Sequence, residues 1–335
     1  MKYPKFLNDK INLIAPSFGC TTEPYYSRLI MAIKHFNELG ISTINGINIY
    51  ESIGPSSAPS QVRAKEFVDA YKDNNFILSV GGGNLLAELI DYINFDELSL
   101  LPPTYFMGYS DNTYLTFLLT TLCDVASIYG YNAPEFGSLK LDSYMLNQIA
   151  LMKGEKLEFS GYPHFELNSL KSNDNPYASY NLDTKKELIL VNSNSVNVSG
   201  RLIGGCIDCL TYLVGTKYDK VCEFSDKYKE DSIIWFLESC DLEAWNLELA
   251  LLHMKRAGWF ENVSLIMIGR PYKYNTDFIG LTMNNAVINA LRDLGIPIII
   301  NADFGHLKPC IPLLCGALAS INAQGNDLKI KYELK

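Results

Sequence analysis

Gly108-Tyr109-Ser110-Asp111-Asn112 joins an apolar run to a helical pattern that starts at Thr113. A serine on so sharp a turn is lifted above the sheet edge, with the following backbone N–H groups facing the same point, as in a nucleophile elbow. The segment departs from G-x-S-x-G at its last position, where Asn112 stands for Gly, and its plainer reading is a Ser110 or Asp111 cap on the next helix. A serine attacks only with a base beside it, and the chain has 4 histidines. His35 and His253 fall in helical patterns and His164 in a polar stretch, whereas His306 follows the apolar run Ile296-Pro-Ile-Ile-Ile-Asn-Ala-Asp-Phe-Gly305. An imidazole base is held in one tautomer by a carboxylate, and Glu238 ends the apolar run Ile233-Ile-Trp-Phe-Leu237. Burying an acid there is costly unless it is paired, which favours Glu238 over the nearby Asp241, Glu243 and Asp303. The turn Gly81-Gly82-Gly83 offers backbone N–H groups with no side chain in the way, suited to an oxyanion or a phosphate. It lacks the later glycine of a dinucleotide fingerprint, and a tight strand-to-helix turn explains it equally well.

These residues recur at the ends of apolar runs, and the elements around them say why. Over the first 130 residues short apolar runs alternate with helical periodicity: Ile11 to Ala15, Tyr25 to Leu39, Ser60 to Tyr71, Phe76 to Val80, Asn84 to Tyr92, Thr104 to Gly108, Thr113 to Leu122 and Ala126 to Tyr129. That alternation predicts a parallel sheet with helices on both faces, whose carboxyl edge is where open α/β sheets bind ligands. From about Glu135 to Val198 the sequence becomes polar and rich in Asn, Ser and Tyr. Beyond it come strands at Ile233 to Leu237, Val263 to Ile268 and Ile296 to Ile300, helices from about Glu243 to Ala257 and Leu281 to Leu294, and a hairpin near Ala323-Gln-Gly-Asn-Asp. The expected division is 1–150 for a nucleophile-bearing α/β domain, 151–190 for a connector and 191–335 for a domain carrying Glu238 and His306.

Composition narrows the partners. With 335 residues, 48% of them hydrophobic, the chain fills one large or two medium cores. A net charge of -9 spread along the sequence argues against nucleic acid and anionic membranes as partners. No segment approaches the ~20 apolar residues of a membrane span, and Met1-Lys-Tyr-Pro-Lys-Phe has no signal-peptide core, so a cytoplasmic location is expected. The 8 cysteines are too dilute for a disulfide scaffold, and Cys206-x-x-Cys209 has no second pair to complete a metal site.

Taken in order, Gly82-Gly83, Phe106-Met-Gly-Tyr-Ser-Asp-Asn-Thr113, Gly200-Arg-Leu-Ile-Gly-Gly205, Trp235-Phe-Leu-Glu238, Phe304-Gly-His306 and Pro312-Leu-Leu-Cys-Gly316 resemble the serine LD-carboxypeptidases and the microcin C immunity peptidases, more closely the latter branch. The resemblance implies an N-terminal flavodoxin-like parallel-sheet domain, a β-rich α/β C-terminal domain and a homodimer. It implies a Ser110 nucleophile, a His306 base, a Glu238 orienter and an oxyanion hole of backbone N–H groups at Gly82, Gly83 and Asp111. It implies hydrolysis of an amide in a small peptide-like or aminoacyl-nucleotide-like substrate through an acyl-enzyme, with no metal or organic cofactor. A murein-recycling enzyme that removes D-alanine from tetrapeptides, and a binding protein without catalysis, are the alternatives. Cys206 stands where the family usually has Asn. No Trp lies between Ser110 and Trp235 to stack on a nucleobase, which leaves Tyr177 and Tyr180 as the stacking residues to consider.

Overall fold

Phe76–Ser79 is buried at every position, which requires a strand covered on both faces. In the computed structural model, which describes residues 1–335, that strand lies inside a six-stranded sheet. The chain forms two compact units, one of residues 1–157, 168–181 and 312–314, the other of 158–167, 182–311 and 315–335. The stretch 151–190 therefore divides between them.

In the first unit Lys10–Ile14 pairs in parallel with Ser42–Asn45 on one side and Phe76–Ser79 on the other, followed by Phe106–Gly108 and Ser127–Tyr129. The first five strands thus lie in the order 2-1-3-4-5, the flavodoxin-like winding, and Leu313–Cys315 adds the edge strand beside Ser127–Tyr129. Helices Tyr25–Glu38, Ser60–Lys72 and Thr113–Thr121 form where the periodicity placed them. Three features differ from the sequence expectation. Ser42–Asn45 is a strand although polar, because it is an exposed edge with nothing to bury on its outer side. The turn after Gly83 continues as a 3-10 helix, Leu86–Tyr92, and Ser143–Met152 is an α-helix inside the polar stretch.

The second unit is built on eight strands in the spatial order 158–160, 327–333, 318–324, 195–206, 233–238, 263–270, 298–305 and 189–191. The central neighbours are parallel and the flanking ones antiparallel, which makes this unit the β-rich α/β half of the protein. Glu238 is the last residue of Ile233–Glu238, and His306 follows directly on Ile298–Gly305. Parallel strands point one way, so both residues emerge from the carboxyl edge. All eight cysteines are free thiols, and no helix is long and apolar enough to cross a membrane.

Candidate active site

Ser110 opens a single 3-10 turn, Ser110–Asn112, between the strand and the helix, with φ at +64°. For a residue with a Cβ this left-handed conformation costs about 1–2 kcal/mol and persists only where the surroundings enforce it. The enforcing contacts are specific. The Ser110 N–H donates to the Tyr129 hydroxyl at 3.0 Å, and the Tyr109 N–H donates to Asn132 Oδ1 at 3.2 Å. Asn112 Nδ2 donates to the Gly81 carbonyl at 2.9 Å and to the Tyr109 carbonyl at 3.1 Å. The Asn that breaks the G-x-S-x-G pattern therefore ties the serine turn to the glycine turn.

Asp111 reaches other loops. Its carboxylate, 2% exposed, accepts from the Ser17 hydroxyl at 2.5 Å and from the Leu86 N–H at 2.8 Å, so it joins three loops of the first unit. Arg63, wholly buried, grips the same loops through the Pro16 carbonyl at 2.9 Å and the Leu85 carbonyl at 3.2 Å, and its charge meets Glu88 at 2.7 Å. Gly83 is required by close approach, and Gly82 is tightly approached. A Cβ on Gly83 would stand 2.3 Å from Ser17 Oγ, and one on Gly82 would stand 3.2 Å from Ser110 Cβ and 3.3 Å from its Oγ. Gly82→Ala pushes the hydroxyl aside by a few tenths of an ångström. For a Ser110 that serves as nucleophile, as the family resemblance implies, the expected result is a loss of about tenfold in the rate of its labelling by a fluorophosphonate, with a melting temperature close to the parent's.

In the second unit His306 Nδ1 lies 2.7 Å from Glu238 Oε2. The Glu238 side chain is fully buried and the imidazole 12% exposed, so the pair is desolvated on the acid's side and reachable on the base's. Two of the competing acids are engaged elsewhere. Asp303 faces Arg270 and Lys186, each at 2.8 Å, and Glu243 pairs with Lys273 at 2.5 Å. Asp208 accepts from the Cys240 and Asp241 N–H groups at 3.1 and 2.8 Å, which fixes the chain leaving Glu238. Cys206 pairs in register with Glu238. Its hydrogen bond with Cys209, its burial and the Glu238 charge raise its pKa well above the usual thiol range, so it stands there as a neutral thiol and not as a rival nucleophile.

Next to the serine turn, Glu135 accepts from the Tyr109 hydroxyl at 3.3 Å and the Tyr180 hydroxyl at 3.0 Å. Burial first, then the Glu135 charge, hold the Tyr180 hydroxyl well above its usual pKa, so it stays a donor. Its ring packs against Tyr144 at 5.6 Å and Tyr131 at 6.2 Å. Tyr180 is thus built into this tyrosine cluster. The first unit assembles Ser110, Asp111, Gly82 and Gly83, and the second assembles Glu238 and His306. Sequence patterns gave no sign of Tyr129, Asn132, Glu135 or Arg63, which act through contacts far apart in the chain.

Residues 11–130 match the LD-carboxypeptidase N-terminal domain, and residues 199–321 match the LD-carboxypeptidase C-terminal domain. A Vibrio cholerae protein named "Putative carboxypeptidase" is 24% identical over 338 residues, 99% of this chain and 98% of its own. A Bacillus subtilis protein named in the same way is 25% identical over 302 residues, 85% and 83% of the two chains. Among solved structures, an MccF-like protein from Bacillus anthracis superposes with a TM-score of 0.82 at 23% identity, over 99% of this chain and 100% of that one. The microcin C7 self-immunity protein MccF does so at 0.78 and 20%, over 99% of each chain, and these likenesses establish a shared fold. Since both domains of one family occur here in order, each containing one of the two assemblies just described, the chain belongs to the LD-carboxypeptidase family.

Proposed function

We propose that this protein is a serine peptidase or amidase that cleaves an amide in a small peptide-like substrate through an acyl-enzyme. The observation that carries the reading is the 2.7 Å contact between His306 Nδ1 and the fully buried Glu238 carboxylate. A carboxylate on Nδ1 selects the tautomer whose Nε2 accepts a proton. In the reaction His306 Nε2 takes the Ser110 hydroxyl proton as Oγ attacks the amide carbon. Backbone N–H groups of Gly82, Gly83 and Asp111 stabilise the oxyanion. The C–N bond breaks as His306 returns the proton to the leaving amine. Water, deprotonated by His306, then attacks the ester and restores the serine.

An aminoacyl-nucleotide-like substrate is supported by the MccF structures, which hold glutamyl sulfamoyl guanosine and aspartyl sulfamoyl adenosine. The carboxypeptidase names of the relatives favour a second reading, release of D-alanine from murein tetrapeptides. Assaying both substrate classes separates them: release of amine from one class only assigns the enzyme to that branch. Labelling by a fluorophosphonate tests catalysis itself. Labelling that requires both Ser110 and His306 is expected, and a protein that binds substrate without being labelled is a binding protein. The free thiols suit a reducing, cytoplasmic compartment, and a homodimer by size-exclusion chromatography completes the proposal.

A further inference from the structure

Arg270 ends the strand Val263–Arg270 with its side chain wholly buried, and its guanidinium donates around the segment that carries His306. Nη1 donates to Asp303 Oδ1 at 2.8 Å. Nε and Nη2 donate to the Leu307 carbonyl at 3.2 and 3.0 Å, and Nη2 also donates to the Pro309 carbonyl. Asp303 lies three residues before His306, and Leu307 and Pro309 lie one and three after it. One planar group therefore holds the chain on both sides of the imidazole. Asp303 is fixed in turn, through Oδ2 by Lys186 Nζ at 2.8 Å and through Oδ1 by the Tyr162 N–H at 3.3 Å. The guanidinium also lies 5.0 Å over the Phe165 ring, which limits its rotation.

We propose that Arg270 is a positioning residue for His306, and that the Asp303 carboxylate orients Arg270 for this task. The inference rests on the reading of His306 as general base. Two physical arguments separate positioning from plain stabilisation. Buried ion pairs are seldom more stabilising than apolar residues of the same size, so a wholly buried Arg–Asp–Lys group is poorly explained by stability alone. The donors are also directed mainly at loop carbonyls, and satisfying several at once needs the rigid fork of arginine, which the point charge of lysine cannot replace. What the group supplies is a fixed path for residues 303–309, and hence a fixed place for the ring that Glu238 then orients.

Arg270→Lys and Asp303→Asn test this. Asp303→Asn keeps the side chain's shape and one acceptor, so it decides the matter if Arg270→Lys does not fold. Turnover is measured per active site titrated with a fluorophosphonate, well below the melting temperature of each variant. The expected result is a fall in kcat of about 100-fold with KM within about twofold of the parent, as for a displaced base in an intact binding site. Variants that melt earlier but turn over within about threefold of the parent per titrated site would overturn the proposal, since a merely structural role lowers stability and not the rate of folded molecules. The underlying reading fails separately: it falls if the parent is not labelled at Ser110, or if His306→Ala is labelled as fast as the parent.

Discussion

Ser110→Ala is expected to hydrolyse substrate about a millionfold more slowly than the parent, because a nucleophile and its base act as one unit and removing either removes nearly all of the covalent pathway. Binding should survive, since the backbone donors and the loops are untouched. The variant keeps the left-handed turn and gains no stability. Ser110→Gly loses the same activity but relieves a φ of +64°, and its melting temperature should equal or exceed the parent's. Steady-state assays and thermal melts on the two variants check both statements. Residual turnover within tenfold of the parent in Ser110→Ala would remove the serine from the mechanism.

Replacing Glu238 by Gln is expected to lower kcat by about 10⁴-fold with little change in KM. The size of the effect follows from burial: a fully buried carboxylate 2.7 Å from Nδ1 acts with little solvent screening, both to fix the tautomer and, in the proposed mechanism, to stabilise the imidazolium that forms as Ser110 is deprotonated. Neither Asp303 nor Glu243 stands ready to substitute, because Asp303 is held between Arg270 and Lys186 and Glu243 is paired with Lys273. A single-turnover measurement of the acylation rate isolates the step. If acylation in Glu238→Gln proceeds within tenfold of the parent, His306 takes its orientation from another group.

The residues that end buried strands were legible in the sequence because each is an abrupt change of chemistry after an apolar run. Glu238 follows Ile233-Ile-Trp-Phe-Leu237, every residue of which is buried, and His306 follows a strand buried at every position. The parallel sheet of the first unit could be read from alternation, which a doubly covered sheet imposes on its sequence, whereas its flavodoxin-like winding came only from the family resemblance. What resisted reading depends on contacts between distant positions. Nothing local to Tyr129 says that its hydroxyl accepts the Ser110 N–H, and nothing local to Arg270 says that it holds Leu307 and Pro309. The helix Ser143–Met152 was hidden because its flanks are polar and its buried side includes Gln148, and the strand Ser42–Asn45 because an edge needs no apolar alternation. Asn112 read as a defect in the elbow pattern, yet its amide reaches the Gly81 carbonyl, a use visible only once the two turns are adjacent.

Residues 312–314 belong to the first unit although Ile311 and Cys315 belong to the second, and Leu313–Cys315 supplies the outer strand beside Ser127–Tyr129. No single cut can therefore release the amino-terminal half intact. A gene fragment ending near residue 157 would leave the Ser127–Tyr129 backbone bare along one side, an invitation to pair with other chains. During synthesis the ribosome must pass Leu313–Cys315 before that margin is covered, so the nascent first half waits, incomplete, until most of the second unit has been made.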